Sequence, residues 1–313
     1  MRLALPAMAR GALEGQLPEG TEAHWYADGD EALAAVRGAD AAWLDILFRP
    51  GPRIVLEAAK DPRWISTALA GVNGWPLDVL SGRGQVLTNG AGVNAVPVAE
   101  FAVMGVLALA KDLRELIRLQ DSRQWPAEAP GRVELCESKA LIIGYGHIGR
   151  EIATRLRSFG VEVTGVRRRA AGEAGVIGPG DWRGRLAEFD WIILATAATA
   201  ETERMIGAHE LAAMKPSAFL INIARGALVD QGALIAAARA GRIAGALLDV
   251  TEPEPPAPED PIWSTPGILM TCHCSGRSQV RFAERASALF LDNLERFRDG
   301  RPLRNVVDLG LGY

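Results

Sequence analysis

Short apolar runs of strand length alternate along the chain with segments whose apolar residues recur at helical spacing. Residues 3–9 read as a first strand, 31–36 as a helix and 39–46 as a second strand. Residues 63–76 form a strand entering a glycine-containing loop, and 77–89 a short helix, a turn and another strand. Positions 97–119 predict one long helix, with Pro97 in its first turn and an apolar surface nearly all round from Ala99 onward. Such a helix belongs in a core or at a subunit or domain interface. A second series then begins, with strands over 140–143, 161–166, 191–196, 218–224, 244–250 and 267–271. Helices follow Arg150, cover 205–214 and run from Gln231 to Ala240, the last with Asp230 as its N-cap. The proline-rich stretch 252–261 excludes regular structure, because proline lacks an N–H and restricts its predecessor. The closing helix, 278–298, sets Phe282, Ala286, Leu289, Phe290, Leu294 and Phe297 on one face. Strands alternating with helices over short connections imply a parallel sheet, and two such series imply two α/β domains.

Composition narrows the class. A length of 313 residues with 49% hydrophobic content suits two domains with ample core. The formal net charge of −4 argues against a general attraction to nucleic acid or an anionic membrane. No uncharged apolar run approaches the roughly 18 residues of a membrane span, and no signal peptide is expected at the N-terminus. Three cysteines do not make a disulfide framework. Cys272-His273-Cys274 does not read as a metal cluster, since adjacent strand residues point to opposite faces. A cytoplasmic protein without metal is expected.

One stretch organises the second series. The apolar run 140–143 meets Gly144-Tyr-Gly-His-Ile-Gly149, and a helix follows with Ile148, Ile152, Ala153 and Leu156 on one side and Gly160 as its C-cap. Strand, glycine turn and helix are the context a dinucleotide site requires. Gly144 would allow the tight turn, Gly146 the approach of a pyrophosphate, and Gly149 close packing of helix on strand. The helix N-terminus offers N–H groups and partial positive charge to phosphates.

Three polar stretches fall at strand ends in the same half: Asn222-Ile-Ala-Arg-Gly226, Asp249-Val-Thr-Glu-Pro-Glu-Pro255 and Thr271-Cys-His-Cys-Ser-Gly276. Open α/β sheets bind ligands at the carboxyl ends of strands. Together the stretches supply a guanidinium, carboxylates and an imidazole, which can bind a 2-oxo acid carboxylate and hold a proton donor at its carbonyl.

With these motifs the sequence resembles the D-isomer-specific 2-hydroxyacid dehydrogenase family, which includes glyoxylate/hydroxypyruvate reductases, phosphoglycerate dehydrogenases and formate dehydrogenases. The matching motifs, in order, are Val98-Ala-Glu100, Gly144–Gly149, Phe219-Leu-Ile-Asn-Ile-Ala-Arg-Gly-Ala-Leu-Val-Asp230 and Leu248-Asp-Val-Thr-Glu-Pro-Glu-Pro255. The resemblance implies two Rossmann-like or flavodoxin-like parallel-sheet domains with the active site in the cleft between them. The substrate domain is then discontinuous, 1–93 with 277–313, around a dinucleotide-binding domain at 94–276. It further implies Arg225 as the substrate-binding guanidinium, Glu254 rather than Glu252 as the catalytic glutamate and His273 as its partner. Asp249 is expected at the nicotinamide carboxamide, and the backbone N–H groups of Ala70 and Gly71 at the substrate carboxylate. Further cofactor contacts are expected at Gly144, Gly146, His147, Ile148, Gly149, Ala197, Thr202, Ile223 and Ala224. The chain departs from the family pattern at Cys272, Cys274, Asn73 and Ala197, which bears on loop geometry and substrate preference. Trp43, Leu44, Arg49, Trp75 and Trp263 are candidates for shaping the pocket.

The expected reaction is reduction of a small 2-oxo acid resembling glyoxylate or hydroxypyruvate. Hydride adds to the oxo carbon, protonated His273 donates to the developing alkoxide, Glu254 favours the charged imidazole and Arg225 polarises the carbonyl. NAD-selective sites place an acidic side chain at the end of the second strand, about 20 residues past the glycine motif. Arg167 stands there, followed by Arg168 and Arg169, so NADP is expected to be preferred over NAD, by roughly ten- to hundredfold. A homodimer is expected. The rival readings are a nucleotide-sensing, corepressor-like regulator on the same fold, and a family dehydrogenase with another substrate such as phosphoglycerate, phosphite or formate.

Overall fold

The structure is a computed structural model that describes residues 1–45, 52–72, 75–168 and 172–310. Two compact units emerge, Met1–Asn94 with Gln279–Tyr313, and Ala95–Ser278.

The discontinuous unit is built on five parallel strands: β1 (Arg2–Pro6), β2 (Glu22–Tyr26), β3 (Ala41–Trp43), β4 (Trp64–Ser66) and β5 (Val86–Thr88). Their order, β2-β1-β3-β4-β5, is that of a flavodoxin-like doubly wound sheet. The sequence reading missed β2, and the pairing of 39–46 with the second strand is therefore corrected to the third. Only Tyr26 of β2 is buried, so this edge strand lacks the apolar run that marks its neighbours. The first strand also stops at Pro6, because 7–9 turns into a 3-10 helix. The closing helix, Phe282–Arg298, starts four residues later than expected and buries the face the spacing identified. Phe290 stacks between Trp43 and Trp64, with ring centroids 5.3 and 5.0 Å away, and Ala286 and Leu294 join the same core. Beyond it, Val307 N donates to Leu87 O at 2.8 Å, tying the C-terminal tail to β5.

The continuous unit holds seven parallel strands: β6 (Lys139–Ile143), β7 (Glu162–Val166), β8 (Val176–Ile177), β9 (Trp191–Leu194), β10 (Phe219–Asn222), β11 (Gly245–Leu248) and β12 (Ile268–Met270). In the order β12-β11-β10-β9-β6-β7-β8 the order in which strands are added reverses between β6 and β9, the topological switch point of a Rossmann sheet. The central strands are buried on both faces, which their unbroken apolar runs allow.

The single helix expected over 97–119 is two, Ala95–Ala110 and Leu113–Asp121. Asp112 takes a left-handed backbone, φ 46°, and its carboxylate accepts from Glu115 N at 3.3 Å to start the second helix. The chain passing back across this junction leaves room only for glycine. A Cβ on Gly131 would lie 2.1 Å from the Lys111 carbonyl carbon. The helix expected over 205–214 is likewise shortened to Ala208–Ala213, because Ile206 is drawn into a bridge with Val229.

Candidate active site

At the switch point, Gly144 takes φ 103° and approaches β9 so closely that a Cβ would lie 2.4 Å from the Ala195 carbonyl. Gly149, on the first turn of the helix His147–Ser158, would place a Cβ 2.2 Å from Gly144 O. These two glycines serve the turn and the helix–strand contact. Gly146 differs, because a Cβ there would meet nothing within 4 Å. Gly146 and His147 are exposed, Ile148 is partly buried against the core, no side chain caps the helix, and no acidic residue lies in its first turn. A helix N-terminus with open space at its N-cap glycine and no acidic residue in its own first turn fits the pyrophosphate of a dinucleotide. Further along the switch, Thr202 Oγ1 donates to Ala197 O at 2.8 Å and closes the 197–202 loop after β9.

The second strand of this half ends where expected, with Arg167 N donating to Ile177 O at 3.1 Å. Arg167 and Arg168 are exposed, but both face carboxylates: Arg167 Nη1 is 4.0 Å from Glu173 and Arg168 Nη2 is 3.6 Å from Glu201. Arg169 lies outside the described residues, as do Arg49 and Asn73.

The three polar stretches after β10, β11 and β12 are held by buried side chains. Asn222, fully buried at the end of β10, accepts from Ala224 N at 3.1 Å and donates to Arg225 O at 2.8 Å. That pair of bonds curls the chain so that Arg225 stands half-exposed at the strand end, with Nη1 donating to Ala224 O at 2.6 Å. Ile223 and Ala224 are buried, leaving mainly backbone to face a ligand. Gly226 then abuts the next loop, where a Cβ would lie 2.0 Å from Thr251 O.

After β11 the Thr251–Pro255 loop carries Glu254 to the loop after β12. Glu254 Oε1 meets His273 Nδ1 at 2.5 Å, with both side chains partly exposed. The structure thus brings together the glutamate and histidine that the sequence paired, and Glu252 is elsewhere, near Gln231. His273 has φ 46°, an uncommon conformation for a side chain of its size. Asp249 explains how it is maintained. This carboxylate is 1% exposed and accepts from Thr271 Oγ1 at 2.7 Å, Cys274 N at 3.0 Å and Ser275 N at 3.2 Å. Asp249 O also accepts from His273 N at 2.8 Å. One buried residue therefore clamps the loop on both sides of the imidazole. Arg277 adds bonds to the carbonyls of Cys272 and His273 at 2.5 and 3.0 Å.

In the discontinuous unit the loop carrying Ala70 and Gly71 is fixed from the ends of three strands. Asp45 accepts from Trp43 Nε1, Thr67 Oγ1 and Ala68 N at 2.7–2.9 Å, and Asn89 Nδ2 donates to Ala70 O at 2.8 Å. The sequence reading named neither Asp45 nor Asn89. Their signal was a polar residue just past an apolar run, at β3 and at β5.

Residues 103–275 match the family described as D-isomer specific 2-hydroxyacid dehydrogenase, NAD binding domain. The chain belongs to this family. Among its relatives, a glyoxylate reductase of Thermococcus litoralis is 34% identical over 264 residues, 81% of this chain and 79% of that protein. A D-3-phosphoglycerate dehydrogenase of Archaeoglobus fulgidus is 31% identical over 260 residues, 82% of this chain and 49% of the other, so the chain spans about half the length of that relative. Among solved structures, a D-isomer specific 2-hydroxyacid dehydrogenase family protein of Aeromonas salmonicida superposes with TM-score 0.85 at 28% identity, covering 98% of this chain and 99% of the other. The two parallel-sheet units are the fold of this dehydrogenase family.

Proposed function

We propose that this family member is an NADP(H)-dependent D-2-hydroxyacid dehydrogenase that reduces a small 2-oxo acid resembling glyoxylate or hydroxypyruvate. The observation that carries the reading is the Glu254–His273 contact of 2.5 Å, on a loop whose shape a buried carboxylate maintains, two strands over from the Arg225 loop. A carboxylate on Nδ1 fixes the imidazole orientation and leaves Nε2 to carry the transferred proton. Arg225 offers a fork for the substrate carboxylate and draws electron density from the carbonyl. His273 Nε2 then protonates the alkoxide oxygen, and in the oxidative direction the neutral ring accepts that proton. The dinucleotide, when bound, supplies or accepts the hydride. Gly144, Gly146, His147, Ile148 and Gly149 would hold its pyrophosphate, Arg167, Arg168 and Arg169 its adenosine end, and Ala197, Thr202, Ile223 and Ala224 the remainder. Asp249 acts through the 271–275 loop in this reading, whether or not it also meets the carboxamide. In this reading the backbone N–H groups of Ala70 and Gly71 would bind the substrate carboxylate.

A homodimer belongs to the same proposal. Met104, Leu113, Leu116, Ile117 and Phe159 leave 41–51% of their surface exposed on or beside the two helices that begin the continuous unit, an apolar patch suited to a second copy. The decisive experiment is a panel of glyoxylate, hydroxypyruvate, 3-phosphohydroxypyruvate and longer 2-oxo acids, each with NADPH and NADH. Saturable oxidation of NADPH by glyoxylate or hydroxypyruvate is expected. No turnover with any 2-oxo acid would return the chain to the regulator reading.

A further inference from the structure

The adenosine end of the dinucleotide site holds a carboxylate that the glycine motif and its spacing do not announce. Arg150 follows Gly149 on the first turn of the helix, and its guanidinium lies 5.0 Å from the ring centroid of Tyr145. From there it binds Glu173 with both arms, Nη1 to Oε1 at 2.5 Å and Nη2 to Oε2 at 2.6 Å. Glu173 Oε2 also lies 4.0 Å from Arg167 Nη1. Glu173 is placed by backbone rather than by chance. Val176 N donates to Glu173 O at 3.1 Å, and the strand that follows pairs Gly165 with Val176 and Val166 with Ile177. The hydrogen bonds from Arg150 lower the carboxyl below the usual range, against a smaller cost of burial, and the charges of Arg150, Arg167 and Arg157 act in the same direction. The cation expected to grip a 2′-phosphate is therefore already facing an anion inside the chain.

We propose that Glu173 is a specificity-determining residue of the dinucleotide site: its carboxylate occupies Arg150 and faces Arg167, and so competes with the 2′-phosphate of NADP(H) for the same guanidinium groups. The proposal rests on reading the glycine turn as a dinucleotide site. NADP and NAD differ only in the 2′-phosphate, so an internal anion at this place weakens NADP binding and leaves NAD binding nearly unchanged. Two forces act together. The phosphate must displace Glu173 from Arg150 and Arg167, and until it does so two like charges face each other. Because the pair is half-exposed, the effect is that of a screened ion pair, roughly fivefold in affinity. The chain thereby combines the basic strand end of an NADP site with an acidic group that narrows the discrimination.

The test is isothermal titration of NADP⁺ and of NAD⁺ into the 313-residue chain, comparing wild type with Glu173→Gln and Glu173→Ala at one fixed ionic strength. Thermal melting of each variant checks that it is folded. Both variants are expected to bind NADP⁺ roughly fivefold more tightly, with the NAD⁺ dissociation constant within twofold of wild type. An unchanged or weaker NADP⁺ affinity overturns the role of Glu173, because it would then be neutral or would align the arginines. An equal tightening of both nucleotides also overturns it. Absence of binding of either nucleotide to wild type instead removes the dinucleotide reading on which the inference stands.

Discussion

The glycine turn and the Arg225–Glu254–His273 strand ends lie in the same sheet, yet they are kept in shape by different means. The turn is held by backbone against backbone, with Gly144 against Ala195 and Gly149 against Gly144, at separations that a side chain would destroy. The strand ends are held by two buried polar side chains, Asn222 and Asp249, each bonding a loop that carries a candidate site residue, Arg225 or His273. The glycine motif itself is written within six residues, although Gly144 closes on Ala195 at the end of β9. In the second design, Asn222 bonds its own loop while Asp249 reaches residues about 25 positions on, and the strength of both lies in satisfying buried polar groups. One therefore tolerates no added atom, while the other tolerates no lost acceptor.

Substitutions in both regions sharpen that contrast. Gly144→Ala should have the largest effect, because its Cβ meets backbone and its φ of 103° is unfavourable for any L side chain. A loss of at least about 4 kcal/mol is expected in denaturant unfolding, enough to leave little folded protein. Asp249→Ala comes next. It leaves the N–H groups of Cys274 and Ser275 without their acceptor, at a cost of about 3 kcal/mol. Amide hydrogen exchange should rise across 271–276 and kcat should fall roughly a hundredfold, while an unperturbed loop would show that other contacts shape it. Gly146→Ala separates the glycines. Its Cβ enters open space, so the melting temperature should stay within a few degrees while NADPH binds about tenfold more weakly. Equal losses of stability and binding would erase the distinction drawn between Gly146 and its neighbours.

The smallest effect is expected at a control residue that bonds neither the glycine turn nor the 271–275 loop in the contacts described for it. Glu210 accepts from Gly207 N at 3.2 Å and from Arg183 Nε at 3.2 Å. Burial pushes its carboxyl up, but the N–H groups of Gly207 and Glu210 and the Arg183 guanidinium outweigh burial and leave it below the usual range. A carboxyl lowered on folding stabilises at pH above its unfolded value, and that contribution is lost as the pH falls through the folded value. Glu210→Gln should therefore lose about 0.5–1 kcal/mol at neutral pH, and the difference from wild type should vanish in acid. A difference that persists in acid would assign the effect to shape rather than charge.

How far the sequence carried the reading follows from the same contrast. The glycine turn, the Asp230 cap and the apolar face of the closing helix are local patterns, and the structure has all three. The edge strand Glu22–Tyr26 escaped because edge strands carry polar residues, and the break at Asp112 because it is imposed by a chain segment about 20 residues later. At the site, the pairing of Glu254 with His273 was implied by the family resemblance, and the two side chains meet at 2.5 Å. The clamps formed by Asp249 on the 271–275 loop and by Asp45 and Asn89 on the 67–70 loop were not, since they depend on which strand ends become neighbours. Arg167 illustrates the limit most clearly. Its position in the motif was evident, but the carboxylate facing it, Glu173, enters from the next strand connection.

The central claim is that His273 moves the proton in reduction of a 2-oxo acid. Its most direct test is the kcat of His273→Ala against wild type with glyoxylate and saturating NADPH, accompanied by the NADPH dissociation constant of each. A fall in kcat of about 10²–10⁴-fold with unchanged NADPH binding is the predicted result. A kcat within a few-fold of wild type would contradict the account.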